Sequence, residues 1–298
     1  MSGKHIELFL VDGTPGGLTT AEIIGWTGHV LAAGRGELGD LLKRQEAARN
    51  GVYLLLSDDD EAIGGTRCYI GKTEVIGDRL KQHVTKKEFW DRVVVITTKD
   101  DTFTEGHWGF LESRLVSLAK EAKRVALENG NEPRERKLSE AQVSDMEAFV
   151  AQLQVILPVL GVHAIRVRQP KAPLGTNRDS DSPVFTLRHA KLKVEAQAQQ
   201  IDGEFTMLAG STVVAQWTGE GKAESTRKAY AKYRAQHEAL VLDGAIEVRG
   251  GVGTLTRDIV FSSPSTAGAV ALSRSCNGRR EWVAGSETFG DWESRGVE

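Results

Sequence analysis

Gly51-Val52-Tyr53-Leu54-Leu55-Leu56 and, ten residues on, Thr66-Arg67-Cys68-Tyr69-Ile70-Gly71 set the fold of this 298-residue chain. Both runs are rich in aliphatic, aromatic and β-branched residues, the composition of a buried strand. Between them lie the acidic turn Ser57-Asp58-Asp59-Asp60-Glu61 and Gly64-Gly65. The spacing predicts an antiparallel hairpin with one tyrosine on each arm.

Downstream, Val75 to Val84 reads as a short helix with Arg79, Lys81 and His83 among its polar positions. Asp91 to Thr98, with Val93-Val94-Val95-Ile96, is predicted as a third strand. Phe110, Leu111, Leu115, Leu118 and Ala119 fall at helical spacing within a helix over Glu105 to Leu127. Asn129-Gly130-Asn131-Glu132-Pro133 stops it. A second helix opens at Ser139, its cap, with Met146, Phe149, Val150, Leu153, Ile156 and Leu157 as its apolar stripe, and ends over Pro158 to Gly161.

Upstream, Ile6 to Val11 reads as a strand, broken by Asp12-Gly13-Thr14-Pro15-Gly16-Gly17. Thr19-Thr20-Ala21-Glu22 reads as a helix start and Gly39 to Arg49 as a helix. The expected organisation is an extension over 1–49 packing on a first domain over 50–165. A Pro/Ser/Asp/Asn-rich linker over 166–185 follows. A second α+β domain is expected over 186–285, and a polar tail over 286–298. Within that second domain, Thr186 to Gln216 reads as strands and Lys222 to Leu242 as a helix. Asp258 to Trp282 reads as a compact unit, with Ser263-Pro264 opening a helix and Asn277-Gly278 turning into a strand that ends at Trp282.

Composition narrows the function classes. Hydrophobic residues are 40% and charged residues 27%, which excludes a wholly disordered chain or a collagen. Lys plus Arg is 38 against Asp plus Glu 41, so any phosphate site is local rather than a property of the whole surface. Cys68 and Cys276 stand far apart, without zinc-ribbon or redox spacing. No apolar run reaches the roughly 18 residues of a membrane span. The default expectation is a cytoplasmic protein with reduced thiols and no membrane association.

Chemistry concentrates between Gly51 and Asn131. Tyr53, Tyr69, Arg79 and Glu112 are the mixture that phosphodiester hydrolysis requires. The reaction needs a proton acceptor for water, a cationic fork for the phosphorane, and a hard oxygen ligand for a divalent cation. Arginine holds phosphate oxygens bidentately, and magnesium accepts one or two carboxylates while keeping several waters. Gly71-Lys72-Thr73 copies the end of a P-loop, but the glycine required at position 66 is Thr66 and the run reads as strand. Taken singly, the tyrosines read as strand aromatics, and Arg79 with His83 reads as a solvated helix face. His5, His29, His107, His163, His189 and His237 show no ligand spacing and read as structural or surface residues.

At these positions the sequence resembles the GIY-YIG endonuclease family. The first motif stands as Gly51-Val52-Tyr53 and the second as Tyr69-Ile70-Gly71. Arg79, Glu112 and an asparagine at 129 or 131 follow in the family's order. The resemblance implies an α+β fold, a small three-stranded antiparallel sheet flanked by helices, that cuts DNA with one Mg2+ or Mn2+. It implies that Tyr53 and Tyr69 line the water and scissile phosphate, that Arg79 stabilises developing charge and that Glu112 holds the metal. The asparagine (Asn129 or Asn131) would steady the site. His83 matches a histidine often seen one turn beyond the arginine, and Lys72 is an extra phosphate contact.

The second half resembles a domain of unknown function that commonly follows such modules. Its helix carries Lys222, Arg227, Lys228, Lys232 and Arg234 with Tyr230 and Tyr233 interleaved. That pattern suits a phosphate backbone or, equally, a solvated face. The expected function is a metal-dependent DNA endonuclease, with RNA left open as a substrate. The alternative is a catalytically inert nucleic-acid-binding or scaffold protein that retains the fold.

Overall fold

Strand pairing between distant segments, more than local helix formation, organises the chain. The computed structural model describes residues 3–58, 66–100, 102–130, 133, 136–166, 182–201, 203–220 and 224–295. The chain divides into two units, Met1–Lys171 and Ala172–Glu298.

The first unit runs β1 (Ile6–Leu10), β2 (Thr19–Ile23), β3 (Gly28–Gly34), α1 (Leu38–Leu41), β4 (Gly51–Asp58) and β5 (Thr66–Thr73). It continues α2 (Ile76–Lys86), β6 (Arg92–Thr98), α3 (Glu105–Ala122), β7 (Ala126–Leu127) and α4 (Glu140–Val159). The strands form one seven-stranded sheet in the order β1-β2-β3-β6-β4-β5-β7. Every neighbouring pair is antiparallel except β5 with β7.

Side-chain alternation along the central strands builds a core on each face. Val52, Leu54, Leu56, Cys68, Ile70, Val94 and Ile96 face α3 and α4, against Leu111, Leu115, Phe149 and Leu153. Tyr53, Leu55, Val93 and Val95 face the opposite way, into a smaller core closed by Leu38 and Leu41 of α1 and Ile76 and Leu80 of α2. Truncating any of these fully buried leucines to alanine costs about 2–5 kcal/mol.

The hairpin forms with Tyr53 opposite Gly71 and Leu55 opposite Tyr69. The sheet, however, has seven strands rather than three. The segment over 1–49 is no appended extension: β3 pairs along its whole length with β6, from Gly28 opposite Thr98 to Gly34 opposite Arg92. Thr19-Thr20-Ala21-Glu22 is strand β2, held between β1 and β3, instead of a helix start. Non-local pairing overrides a local capping signal there. Between Gly39 and Arg49 only the short α1 and a single 3-10 turn over Gln45–Ala48 form. α3 ends at Ala122 because Lys123 takes the left-handed conformation (φ 50°), and Ala126–Leu127 then pairs with β5. In α4, Ser139 accepts from Gln142 N, and all six residues of the apolar stripe are buried.

The second unit contains β8 (Phe185–His189), β9 (Val194–Ile201), β10 (Glu204–Met207), β11 (Thr212–Val214), α5 (Glu224–Leu242), β12 (Ile246–Arg249) and β13 (Val252–Leu255). β14 (Ile259–Phe261), α6 (Pro264–Leu272), α7 (Gly278–Glu281), β15 (Val283–Ala284), β16 (Glu287–Thr288) and α8 (Phe289–Glu293) complete it. Its nine strands form one sheet. Against it lies α6, whose Ala267, Gly268, Ala269, Val270, Ala271 and Leu272 are all buried. Ser263 caps α6 by accepting from Thr266 N, with Pro264 at the first turn.

Three boundaries differ from expectation here. Ser182, inside the expected linker, already accepts a hydrogen bond from Gln200 N, and β8 starts at Phe185; the rest of that linker, 167–181, lies outside the described residues. Gly278 opens the one-turn helix α7 rather than a hairpin turn: a Cβ there would meet Pro264 and Ser265 backbone at 2.3 Å, so the residue is a close-approach glycine. The expected polar tail is part of the unit, because Phe289 is buried against Phe185 and Phe205. No helix among the described residues is long and apolar enough to cross a membrane.

Candidate active site

Gly51 opens β4 where a Cβ would lie 2.4 Å from the Ile96 carbonyl oxygen. Glycine therefore lets β4 approach β6 closely. Two residues on, Tyr53 points into the smaller core and is wholly buried. Its hydroxyl fits above the strand partner Gly71, whose Cβ would stand 2.5 Å from it. Tyr69, diagonal to Tyr53 across the ladder, is half-buried, and the two ring centroids are 6.2 Å apart.

α2 covers this face and delivers Arg79 and His83, one turn apart. The Tyr53 hydroxyl lies 2.7 Å from His83 Nε2 and accepts from Arg79 Nε at 3.2 Å. Burial, assisted by the cations of Arg79, Lys87 and Lys86, pushes the His83 imidazole down to about 4, so it is neutral at pH 7. Burial likewise raises the Tyr53 phenol far above its ordinary value of 10, against the opposing pull of Arg79. Tyr53 is thus a protonated phenol held between a neutral imidazole and a guanidinium. The His83 ring also touches Tyr69, at 5.5 Å between centroids. Its Nδ1 is buried with no hydrogen-bond partner among the described residues.

The outer edge of β5 carries the remaining residues. β7 covers it only at Arg67 and Cys68, and Glu128 N donates to the Cys68 carbonyl. Beyond that, side chains satisfy the strand. Asn129 accepts from Ile70 N at 3.0 Å and donates to Ile70 O at 2.7 Å. Glu112 Oε1 accepts from Lys72 N at 3.1 Å. Asn129 therefore continues the ladder as a backbone mimic; Asn131 lies outside the described residues.

Glu112 is half-buried on α3. Burial raises its carboxyl and neighbouring Glu105 adds to the rise, while the Lys72 N–H, the Lys72 ammonium and Arg79 oppose them. Lys72 Nζ reaches Glu105 at 2.7 Å. A shallow cleft lined by Lys72, Thr73, Glu74, Asp78, Arg79 and Gln82 opens at the end of β5.

The fold thus gathers Tyr53, Tyr69, Arg79 and His83 into one cluster on one sheet face. Glu112, Lys72 and Asn129 meet the adjoining edge of β5, and Arg79 and Glu112 are near enough to influence each other electrostatically. Among the described residues no three His, Cys, Asp or Glu side chains group as a metal cage. Glu112 alone, with Oε1 taken by a backbone N–H, fits a magnesium-like ion that keeps most of its waters and takes one carboxylate oxygen.

One neighbour escaped the sequence reading. Lys87 Nζ sits 4.1 Å from the Tyr69 ring centroid, a cation–π contact that holds the exposed side of that ring. The Lys86-Lys87 pair at the end of α2 was the available signal, but only the register of β5 brings Tyr69 beneath it.

The basic helix α5 is less open than its sequence suggested. Lys228 pairs with Glu224 and Arg234 with Glu238. Tyr230 and Tyr233 pack on Trp217 rather than facing outward between the cations, and Tyr230 accepts from Ser275 N. Arg227 and Lys232 are exposed, and Lys222 lies outside the described residues. Two histidines read as structural are buried and hydrogen-bonded: His29 lies between Glu22 and Glu46, and His237 bonds the Val214 carbonyl.

Residues 185–292 match the model of a family described as a domain of unknown function, DUF4357. That span runs from β8 into α8, so it takes in the residues after Gly285. No curated protein and no solved structure matches the chain.

Proposed function

We propose that the first unit is a GIY-YIG-type endonuclease that hydrolyses phosphodiester bonds in DNA, with Mg2+ or Mn2+ bound through Glu112. The observation that carries this reading is the meeting of Tyr53, Tyr69, Arg79 and His83 at one set of contacts beside the cleft. Those residues come from two strands and a helix, and a purely structural core gains nothing from burying a phenol and an imidazole against a half-exposed guanidinium.

Bound at Glu112, the divalent ion would supply charge neutralisation at the phosphate. The chain's own groups do the rest. Arg79 spends Nε on Tyr53, which orients its outer guanidinium nitrogens toward the cleft, where they donate to phosphate oxygens. Tyr53 is sealed from solvent, so it acts as a positioning residue for Arg79. Tyr69 is the phenol with access to water and is the one that meets the attacking water molecule. The His83 ring beside both phenols stays neutral at pH 7 and is too weak a base to hold a proton there, so its part is to position the Tyr53 hydroxyl at Nε2. Lys72 offers a second cation at the cleft rim.

The test is plasmid nicking by the full chain with Mg2+ or Mn2+, beside Arg79→Ala and Glu112→Ala. The expected result is metal-dependent nicking that falls by about two orders of magnitude or more in each variant. Nicking that survives both substitutions refutes the assignment. DNA or RNA binding without cleavage, across metals and substrates, identifies an inert binding protein on the same fold.

A further inference from the structure

The outermost strand of the first sheet is β1, whose far edge has no partner strand among the described residues. Natural edge strands are usually short, charged or interrupted, which prevents pairing with other chains. Other outer strands here follow that rule: β7 and β16 have two residues each, and β12 carries exposed Glu247 and Arg249. β1 does not. Its sequence, Ile6-Glu7-Leu8-Phe9-Leu10, holds one charge, and Leu8, Phe9 and Leu10 are 48%, 57% and 39% exposed.

Which backbone groups are open follows from the hydrogen bonds to β2. Val11 N donates to Leu18 O, and Ile24 N donates to His5 O. Odd-numbered residues from 5 to 11 therefore bond inward, and Ile6 and Leu8 direct their N–H and C=O groups outward, as Leu10 does its N–H, while the Leu10 carbonyl accepts from Gly13 N in the turn that follows.

From this edge we infer that two copies of the chain pair through β1, antiparallel about a twofold axis at Leu8, joining their sheets into one. The strand is complementary to itself in that register. Ile6 lies opposite Leu10 of the second copy, Leu8 opposite Leu8, and Glu7 opposite Phe9. Just beyond the ladder, the flanking Lys4 faces the turn that carries Asp12 of the second copy, so opposite charges lie near each other at both ends.

Neighbouring registers fail on the same criteria. Centring on Glu7 sets two carboxylates face to face, and centring on Phe9 sets Ile6 against Asp12. A twofold, self-complementary strand addition of this kind closes the assembly at a dimer and removes both open edges.

The proposal is independent of the nuclease reading, since β1 shares no residue with the Tyr53 cluster. Light scattering and sedimentation of the full chain across a wide concentration range give the oligomeric state. The wild type is expected to dimerise. Leu8→Lys, which opposes two ammonium groups on the axis, is expected to weaken the dimer by at least about tenfold while leaving the circular dichroism spectrum unchanged. Lys4→Glu, facing Asp12, weakens it too.

Register is read separately with a short bismaleimide, because the native thiols Cys68 and Cys276 are buried. Leu8→Cys is expected to cross-link, since antiparallel hydrogen-bonded partners lie about 5.5 Å apart at Cα. Thr14→Cys, at the far end of the hairpin, is expected not to. A wild type that stays monomeric at every concentration overturns the proposal. So does a dimer indifferent to Leu8→Lys, or one in which Thr14→Cys cross-links as well as Leu8→Cys.

Discussion

Gly71→Ala asks whether the Tyr53 cluster depends on an empty position in β5. The new methyl group would lie 2.5 Å from Tyr53 Oη, 2.7 Å from Cζ and 3.0 Å from Tyr69 Cε1. Ordinary contacts of a methyl carbon begin near 3.4 Å, so the tyrosine must retreat by most of an ångström. Tyr53 cannot do so freely, because its rigid ring belongs to a closed core with Leu31, Leu41, Leu55, Ile76 and Leu80, all fully buried. Overpacking of this kind costs typically about 1–3 kcal/mol. Moving the hydroxyl also disrupts its hydrogen bonds to His83 Nε2 and from Arg79 Nε, each contributing about 1 kcal/mol.

Against these stands a gain of about 0.5–1 kcal/mol from replacing glycine within a strand. The net is a destabilisation of about 2–4 kcal/mol, or roughly 5–15 °C in the melting temperature of a unit this size. Calorimetry measures the stability change. Metal-dependent nicking should fall with it even at temperatures where the variant is fully folded, because Arg79 loses its anchor. Gly36→Ala, whose Cβ meets nothing within 4 Å, is the control and should stay within about 0.5 kcal/mol of wild type. Gly71→Ala that melts and nicks like wild type would refute the claim that this glycine makes room for the phenol.

Three further outcomes are expected. His83 is held at about 4 when folded, against an ordinary 6.5, so protonation favours the unfolded chain. Its contribution is complete above pH 6.5 and is lost as pH falls toward 4, by up to roughly 3 kcal/mol; urea titrations of wild type and His83→Gln should therefore diverge from parallel only in that window. Asn129→Ala removes both side-chain bonds to Ile70 and should cost about 1–3 kcal/mol, with the Ile70 amide losing protection in hydrogen exchange more than its neighbours in β4. Ser263→Ala removes the cap of α6 and should cost about 0.5–2 kcal/mol in chemical denaturation of the full chain, with no effect on nicking.

Legibility in the sequence followed the range of the interactions concerned. The β4–β5 hairpin, the Ser139 cap with its six-residue apolar stripe, and the Ser263-Pro264 helix start depend on residues a few positions apart, and each stands where its local pattern put it. Residue type and order also single out Tyr53, Tyr69, Arg79, His83 and Glu112 as a candidate set.

Position in space was not. Thr19-Thr20-Ala21-Glu22 looks like a capped helix until β1 and β3 claim its backbone, and the segment over 1–49 looks separate until β3 meets β6. Phe289 gives no local sign that Phe185 and Phe205 will bury it. At the site, only the pairing of Tyr53 with Gly71 determines that one phenol is sealed and the other open, and only the short reach of β7 leaves Ile70 and Lys72 to be satisfied by Asn129 and Glu112. Residue types fix which chemistry is available to a chain. Strand register decides which of those groups share a face, and register is a property of segments that touch only after the chain has folded.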